Sequence, residues 1–369
     1  MRKRLRHQRW SALGVASLAG VLGLSVAAVT PSIANASATK AKASTKSDTI
    51  YLSDAWVGNS WRAQALSSWT QAAKEAERSH LLSSAPEVTA NNSLATQASQ
   101  LQSLILKHPA AIAIDAASET ALNGAIAKAC AAGIVVVAYD SNVSAPCAYK
   151  LENNFVQFGV LGAEQIAQQL HGKGNVLEVG GIAGNPIDQQ VHQGWNEVLK
   201  RYPGIKVVSY VYGQSVEATA QSAVASVLPS LPQVKGVLGL GDVGLGIYNA
   251  FKDAGRPIPL TTFGNSSPEL GLWSKLSKQK GGYSSIAIDT MPGESTAAMW
   301  LALYILSGHK VPKVIPMPFL TIKQSSLSKW LAKTPSGGFA SISFNENFVV
   351  SLAKAAQEHK APPAIPVPA

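Results

Sequence analysis

The apolar positions of this chain fall into short blocks that alternate between two periods, and the alternation predicts an architecture. Within Ala132–Asn142, AGIVVVAYDSN, Ile134 to Val137 form a β-branched run with no 3.6-residue period. Ala132-Gly133 ahead of it reads as a helix end and turn, so the run is predicted to be a parallel strand buried on both faces. Thr49–Asp54 and Ala111–Asp115 carry the same signature, with a weaker strand near Glu87–Thr89. Between them the spacing turns helical: Trp61 to about His80 with Ser60 as N-cap, then Asn92–His108 and Glu119–Ala131. Such alternation belongs to a parallel, doubly wound α/β sheet.

The pattern then restarts. Phe158–Leu170, Asp188–Arg201, Val216–Leu228, Gly244–Ala254 and Gly293–Gly308 read as helices. Asn175–Val179, Lys206–Tyr212, Val234–Leu240, Leu260–Gly264 and Ser284–Asp289 read as strands, with a glycine-rich loop at Gly180–Pro186. An internal repeat links the halves. AKACAAG and IVVVAYDSN (127–142) match NAFKDAG and RPIPLTTFGNSS (249–267): helix, Ala-Gly, strand, polar tip. The tip residue is Asp140 in one copy and Asn265 in the other. Two similar lobes with strand tips facing across a gap are expected. The proline-rich end, 359–369, reads as a disordered tail.

Composition changes the picture mainly at the N-terminus. The 369 residues are 46% hydrophobic and 14% charged, enough for large cores and too polar for a membrane bundle. The net charge of +10 is concentrated: Arg2, Lys3, Arg4, Arg6 and Arg9 precede the charge-free stretch Trp10–Val29. With Ala34-Asn35-Ala36 as an A-x-A site, residues 1–36 read as a secretory signal, and an uncleaved anchor is the alternative. Residues 37–47 then form a flexible tether. No basic stripe interleaved with aromatics follows, which argues against nucleic acid. Cys130 and Cys147 are the only cysteines, and in an exported protein they are expected to pair. No other Cys or His sits at metal-ligand spacing, so no zinc site is expected.

Three chemistries compete for the polar residues. Gly239-Leu240-Gly241-Asp242-Val243-Gly244 matches a dinucleotide fingerprint, G-x-G-x-x-G. Yet the next strand ends Phe263-Gly264-Asn265 rather than in a ribose-binding acid, and Asp242 would repel a pyrophosphate. Asp54, Asp115, Asp140, Asp242 and Asp289 offer paired carboxylates for glycoside hydrolysis, or equally acceptors that bind hydroxyls and never react. The third reading, a binding protein, rests on resemblance to a known family, and the chemistry of the residues agrees with it. A carboxylate at the carboxyl end of a parallel strand stands where an open α/β sheet meets its ligand. Trp61, beside Asn59 and Arg62, adds an indole for sugar C–H faces and groups that pair with hydroxyls. Trp69 and Trp195 are assigned to packing.

GNSWRAQALSSWTQAAKEA, LILKHPAAIAIDAASETALNGAIAKACAAGIVVVAYDSN and GGIAGNPIDQQVHQGWNEVL together resemble periplasmic sugar-binding proteins of the ribose-binding-like group, solute receptors of ABC importers. The resemblance spans roughly 48–320. It implies a type I periplasmic binding protein: two doubly wound parallel-sheet lobes joined by a three-stranded hinge, 48–152 plus 290–320 in the N-terminal lobe and 153–289 plus 321–358 in the C-terminal lobe. It implies capture of one sugar or polyol without catalysis or cofactor, by a monomer that delivers to an ABC permease. Its pocket positions fall on Asp140, on Asn59, Trp61 and Arg62, on Asn185 and Gln189, and on Asp242, Asn265 and Asp289. Gln189 stands where relatives often carry an arginine, which removes a charged bidentate donor. A membrane-anchored sugar sensor signalling to a kinase or chemoreceptor is the alternative, and an NAD-dependent or glycoside-processing enzyme a minor one.

Overall fold

The computed structural model describes residues 44–184 and 186–369. The expected signal segment 1–36, residues 37–43 of the expected tether, and Asn185 lie outside the described residues. Of the tether's described end, Thr45 Oγ1 donates to the Leu81 carbonyl at 2.5 Å.

Two parallel sheets organise the chain. The first contains β1 (Ile50–Asp54), β2 (Glu87–Thr89), β3 (Ala111–Asp115), β4 (Val135–Ala138), β5 (Tyr149–Asn153) and β11 (Val314–Met317), in the order β11-β5-β4-β3-β1-β2. The second contains β6 (Lys173–Gly180), β7 (Gly204–Tyr212), β8 (Gly236–Gly239) and β9 (Leu260–Thr261), ordered β7-β6-β8-β9. A parallel bridge from Phe263 to Ala287 extends it to β10 (Ile286–Asp289), which pairs antiparallel with β12 (Leu320–Lys323). Each sheet therefore runs second, first, third, fourth, fifth. The repeated segments supply the fourth strand of each, β4 and β9. The strand expected at Leu260–Gly264 is ladder-paired only over its first two residues.

Helices cover both faces. α1 (Ser60–Arg78), α2 (Leu94–Leu106) and α3 (Asn123–Ala131) belong to the first sheet. α4 (Phe155–Gln169), α5 (Pro186–Leu199), α6 (Glu217–Val227), α7 (Gly244–Asp253) and α8 (Ser267–Ser277) belong to the second. α9 (Glu294–Leu306) returns to pack on β3, β4 and α1, while α10 (Leu327–Lys333) packs on α8 and β12. α1 shows the logic. Its buried residues Ala65, Trp69, Ala72, Ala73 and Ala76 recur at three- and four-residue steps and form one stripe. Its cap is Asn59 rather than Ser60: Asn59 Oδ1 accepts the Arg62 N–H at 2.8 Å.

The chain passes between the two lobes at 153–155, 289–294 and 317–320, and a fourth time at 334–345. That last pass corrects the expected boundary. α11 (Glu346–Gln357) packs on α9 and β11 of the first lobe, not with β12 of the second. Beyond it, Ile365 of the proline-rich end rests against the same core. Cys130 at the end of α3 and Cys147 in the β4–β5 connection form a disulfide, with Cα atoms 6.3 Å apart. Among the described residues, no helix is long and apolar enough to cross a membrane.

Candidate functional site

Because every strand of the first sheet is parallel, their carboxyl ends share one edge. β1, β3 and β4 end there in Asp54, Asp115 and, one residue past Tyr139, Asp140. Arg62, in the first turn of α1, reaches over that edge. Its Nη1 donates to Asp54 Oδ1 at 3.3 Å and to Asp115 Oδ2, and its Nη2 lies 3.6 Å from Asp140 Oδ2. Asp54 and Asp115 are buried, whereas the Arg62 and Asp140 side chains are each 16% exposed. Two aspartates thus fix the guanidinium from below, and the third presents an edge to the cleft. Asp140 adopts φ 51°, a left-handed conformation that aspartate tolerates better than most residues.

The opposing residues come from the hinge and the second sheet. Trp61 Nε1 donates to the Thr290 carbonyl at 3.5 Å, just past β10. Asp289 Oδ1 accepts the Thr290 N–H at 2.9 Å. Asp242 accepts from the Ser266 backbone and hydroxyl. Burial pushes the Asp54 and Asp140 carboxyls above the usual range, while Arg62 pulls both back. Burial raises Asp242 to about 6, and drives Asp289 well up with help from Asp242 and Asp140. These groups feel one another's charge, so they share one electrostatic site.

Not every expected residue joins it. Asn59 is spent on capping α1. Asn265 is buried, and its Nδ2 donates to the carbonyls of Thr290 and Ala340, both at 3.0 Å. Gln189 is exposed and turns back to the Gly184 carbonyl at 3.4 Å. Its neighbour Gln190, three residues after Ile187, lines the cleft instead, a one-residue difference set by the register of α5. The cleft is about 430 Å³ and is also lined by Asp140, Asn142, Asn153 and Phe155.

Three residues that the sequence analysis did not single out are Asn153 on the cleft wall and Tyr139 and Glu294 close by. Tyr139 is fully buried, with its hydroxyl unpartnered. Asn153 Nδ2 donates to Glu294 Oε1 at 3.2 Å, leaving Asn153 Oδ1 and Glu294 Oε2 unpartnered. Burial, then Asp140, lifts Glu294 to about 8. The available signal was Glu294 itself, an acid that with Ser295 and Thr296 opens a helix apolar from Ala297 to Leu306. Asp54 Oδ2, Asp115 Oδ1 and Asp242 Oδ1 are likewise buried without a partner. Buried polar atoms are nearly always paired, and these unpaired ones gather at the strand tips of both sheets.

The glycine fingerprint has a different explanation. Glu269 accepts the Leu245 N–H at 3.1 Å and the Gly264 N–H at 2.5 Å, and also bonds the Gly244 backbone. Its carboxylate thereby occupies the N-terminus of α7, where a pyrophosphate would bind. The glycines serve packing: a Cβ on Gly244 would meet the Phe263 ring at 2.4 Å.

A family model described as "Periplasmic binding protein domain" matches residues 50–310. A solved ABC transporter solute binding protein from Thermobispora bispora is 34% identical, with TM-score 0.78, covering 87% of this chain and 99% of that one. A periplasmic solute binding protein from Actinobacillus succinogenes, solved with bound D-allose, superposes with TM-score 0.65 at 19% identity over 76% of this chain and 99% of that one, and shows the fold alone. Among curated proteins, a xylitol-binding protein of Mycolicibacterium smegmatis is 32% identical over 171 residues, 46% of this chain and 49% of the relative. A D-apiose import binding protein of Actinobacillus succinogenes is 30% identical over 149 residues, 40% of this chain and 48% of the relative. The chain spans about half the length of the curated relatives it matches.

Proposed function

Since the chain belongs to the periplasmic binding protein domain family, we propose that it captures one small polyol or sugar between its two lobes and delivers it to an ABC permease. The observation that carries this reading is the arrangement at the strand tips. Arg62 is anchored by Asp54 and Asp115 and leaves Asp140 at the cleft wall, among buried polar atoms that lack partners. A carboxylate accepts from two ligand hydroxyls, and the guanidinium beside it donates to a third. Trp61, packed across to Thr290, offers an indole face to C–H groups. A cleft of about 430 Å³ suits a molecule of five or six carbons.

Capture needs no bond chemistry. A ligand that touches Asp140 on one lobe and Gln190 or Asp242 on the other has more contacts in the closed state, so it shifts the population toward closure. The closed form is what a permease would read. The curated relatives named for xylitol and D-apiose point to the same ligand class.

Thermal stabilisation of the chain from Ser37 onward tests this, against pentitols, aldopentoses, aldohexoses and NADH. Ligand at 100 times its dissociation constant adds about 2.7 kcal/mol, and one polyol or sugar is expected to raise Tm by several degrees. Asp140→Ala is expected to abolish that rise while folding normally. A rise with NADH alone, or a sugar response that survives Asp140→Ala, would overturn the proposal.

A further inference from the structure

The fourth pass between lobes contains an extended segment, 338–340, held on both of its edges. On one edge the Ser267 N–H donates to the Gly338 carbonyl at 2.8 Å, and the Ala340 N–H to the Asn265 carbonyl at 2.9 Å. Ser266 and Phe339 thereby face one another as an antiparallel pair. In that pattern the N–H and C=O of Phe339 itself point to the opposite edge. Gln64 of the first lobe receives them there. Its Oε1 accepts the Phe339 N–H at 2.8 Å, and its Nε2 donates to the Phe339 carbonyl at 2.9 Å.

One carboxamide therefore imitates a neighbouring strand and closes the free edge of a segment bonded to the second lobe. Gln64 stands two residues after Arg62 on α1, so its grip acts on the same helix end that carries Trp61 and Arg62. Further along, the segment is fastened to the first lobe: the Gly293 N–H donates to Ser341 Oγ at 2.9 Å, and the Phe344 N–H to Thr296 Oγ1 at 3.0 Å. The lobe boundary thus falls at 339–341, and the Gln64 clasp spans it. Gly338 leaves room for the clasp, because a Cβ there would meet Gln64 Oε1 at 2.7 Å.

We propose that Gln64 is a ligand-independent latch: its two-point hold on Phe339 favours the arrangement of the lobes seen here over a more open one and so sets affinity without touching the ligand. The latch rests on the capture reading only for its effect on affinity. Its effect on shape stands by itself. If opening carries 338–340 with the second lobe, the hold must release, and weakening it must raise the open population.

Two variants attack the clasp from opposite sides. Gln64→Met keeps the side chain's length and removes both hydrogen bonds. Gly338→Ala leaves Gln64 intact and displaces it. Small-angle scattering of the ligand-free chain is expected to show a larger radius of gyration for both than for the unaltered protein, with Gln64→Glu intermediate because it keeps only the acceptor. For the sugar or polyol that stabilises the unaltered protein, both variants are expected to bind about ten-fold more weakly, as the binding-competent fraction falls. Unchanged scattering in Gln64→Met, or a Gly338→Ala profile that stays at the unaltered value, overturns the latch. Because the scattering measurement contains no ligand, its failure is distinct from a failure of the capture reading, which the ligand panel decides.

Discussion

Removing Arg62 is the sharpest perturbation the site allows. Its guanidinium faces three carboxylates, and among the described residues it is the only basic group ion-paired with them. Asp54 is 2% and Asp115 0% exposed. At an effective dielectric of about 20, unit charges about 3.5 Å apart attract by about 5 kcal/mol before desolvation is counted. Stripping one partner from such a buried arrangement costs about 3–5 kcal/mol, mostly as uncompensated charge on the partners left behind. Arg62→Met is therefore expected to lower stability by about that much near pH 7.5, a fall in Tm of roughly 4–8 °C. The loss has a definite pH dependence. Without Arg62 the folded-state pKa values of Asp54 and Asp140, already raised by burial, rise further. An acid raised on folding costs nothing below its unfolded pKa of about 3.9 and its full penalty above the folded value. The gap to the unaltered protein should thus close toward pH 4 and widen with rising pH. Differential scanning calorimetry of both proteins from pH 4 to 8.5 measures it, with Arg62→Met/Asp115→Asn as the partial rescue. Parallel Tm profiles, or a loss below about 1 kcal/mol at pH 7.5, would refute Arg62 as the counter-ion of this cluster.

Two further outcomes follow from the buried groups. Glu294, lifted from 4.5 to about 8, is protonated in the fold and ionised in the unfolded chain at pH 7, so it withdraws stability as pH rises from about 4.5 to 8. Glu294→Gln is expected to flatten that decline and to melt higher than the unaltered protein at pH 8.5, by an amount on the order of 2 kcal/mol; identical Tm slopes across the range would contradict it. Reduction of Cys130–Cys147, which are 17 residues apart, is expected to cost about 3 kcal/mol, read as the difference between urea midpoints with and without a thiol reductant.

Much of the site's location was legible because a parallel sheet leaves little freedom. A β-branched run bounded by Ala-Gly and a polar tip identifies a buried parallel strand, and all such strands present their carboxyl ends on one edge. Asp54, Asp115 and Asp140 were therefore recognisable as neighbours from IYLSD, AIAID and AYD. The strand YKLEN of β5 was not, because it has no buried run and only partial alternation, and Asn153 went unnoticed with it. The repeat around 127–142 and 249–267 likewise indicated paired lobes, since identical local signals at the same step of the alternation build the fourth strand of each sheet.

What the sequence by itself determined is the class of fold and the edge on which polar groups gather. These depend on backbone period and strand direction, which neighbouring residues decide. Only the tertiary structure decided how each polar side chain is used. Asp54 and Asp115 turn inward to hold Arg62; Asn265 is spent on Ala340, 75 residues away; Glu269 fills the helix end beside the glycine fingerprint; Gln64 grips Phe339, 275 residues on. A hydrogen-bond partner is chosen by which distant elements meet, and local pattern carries no record of that meeting.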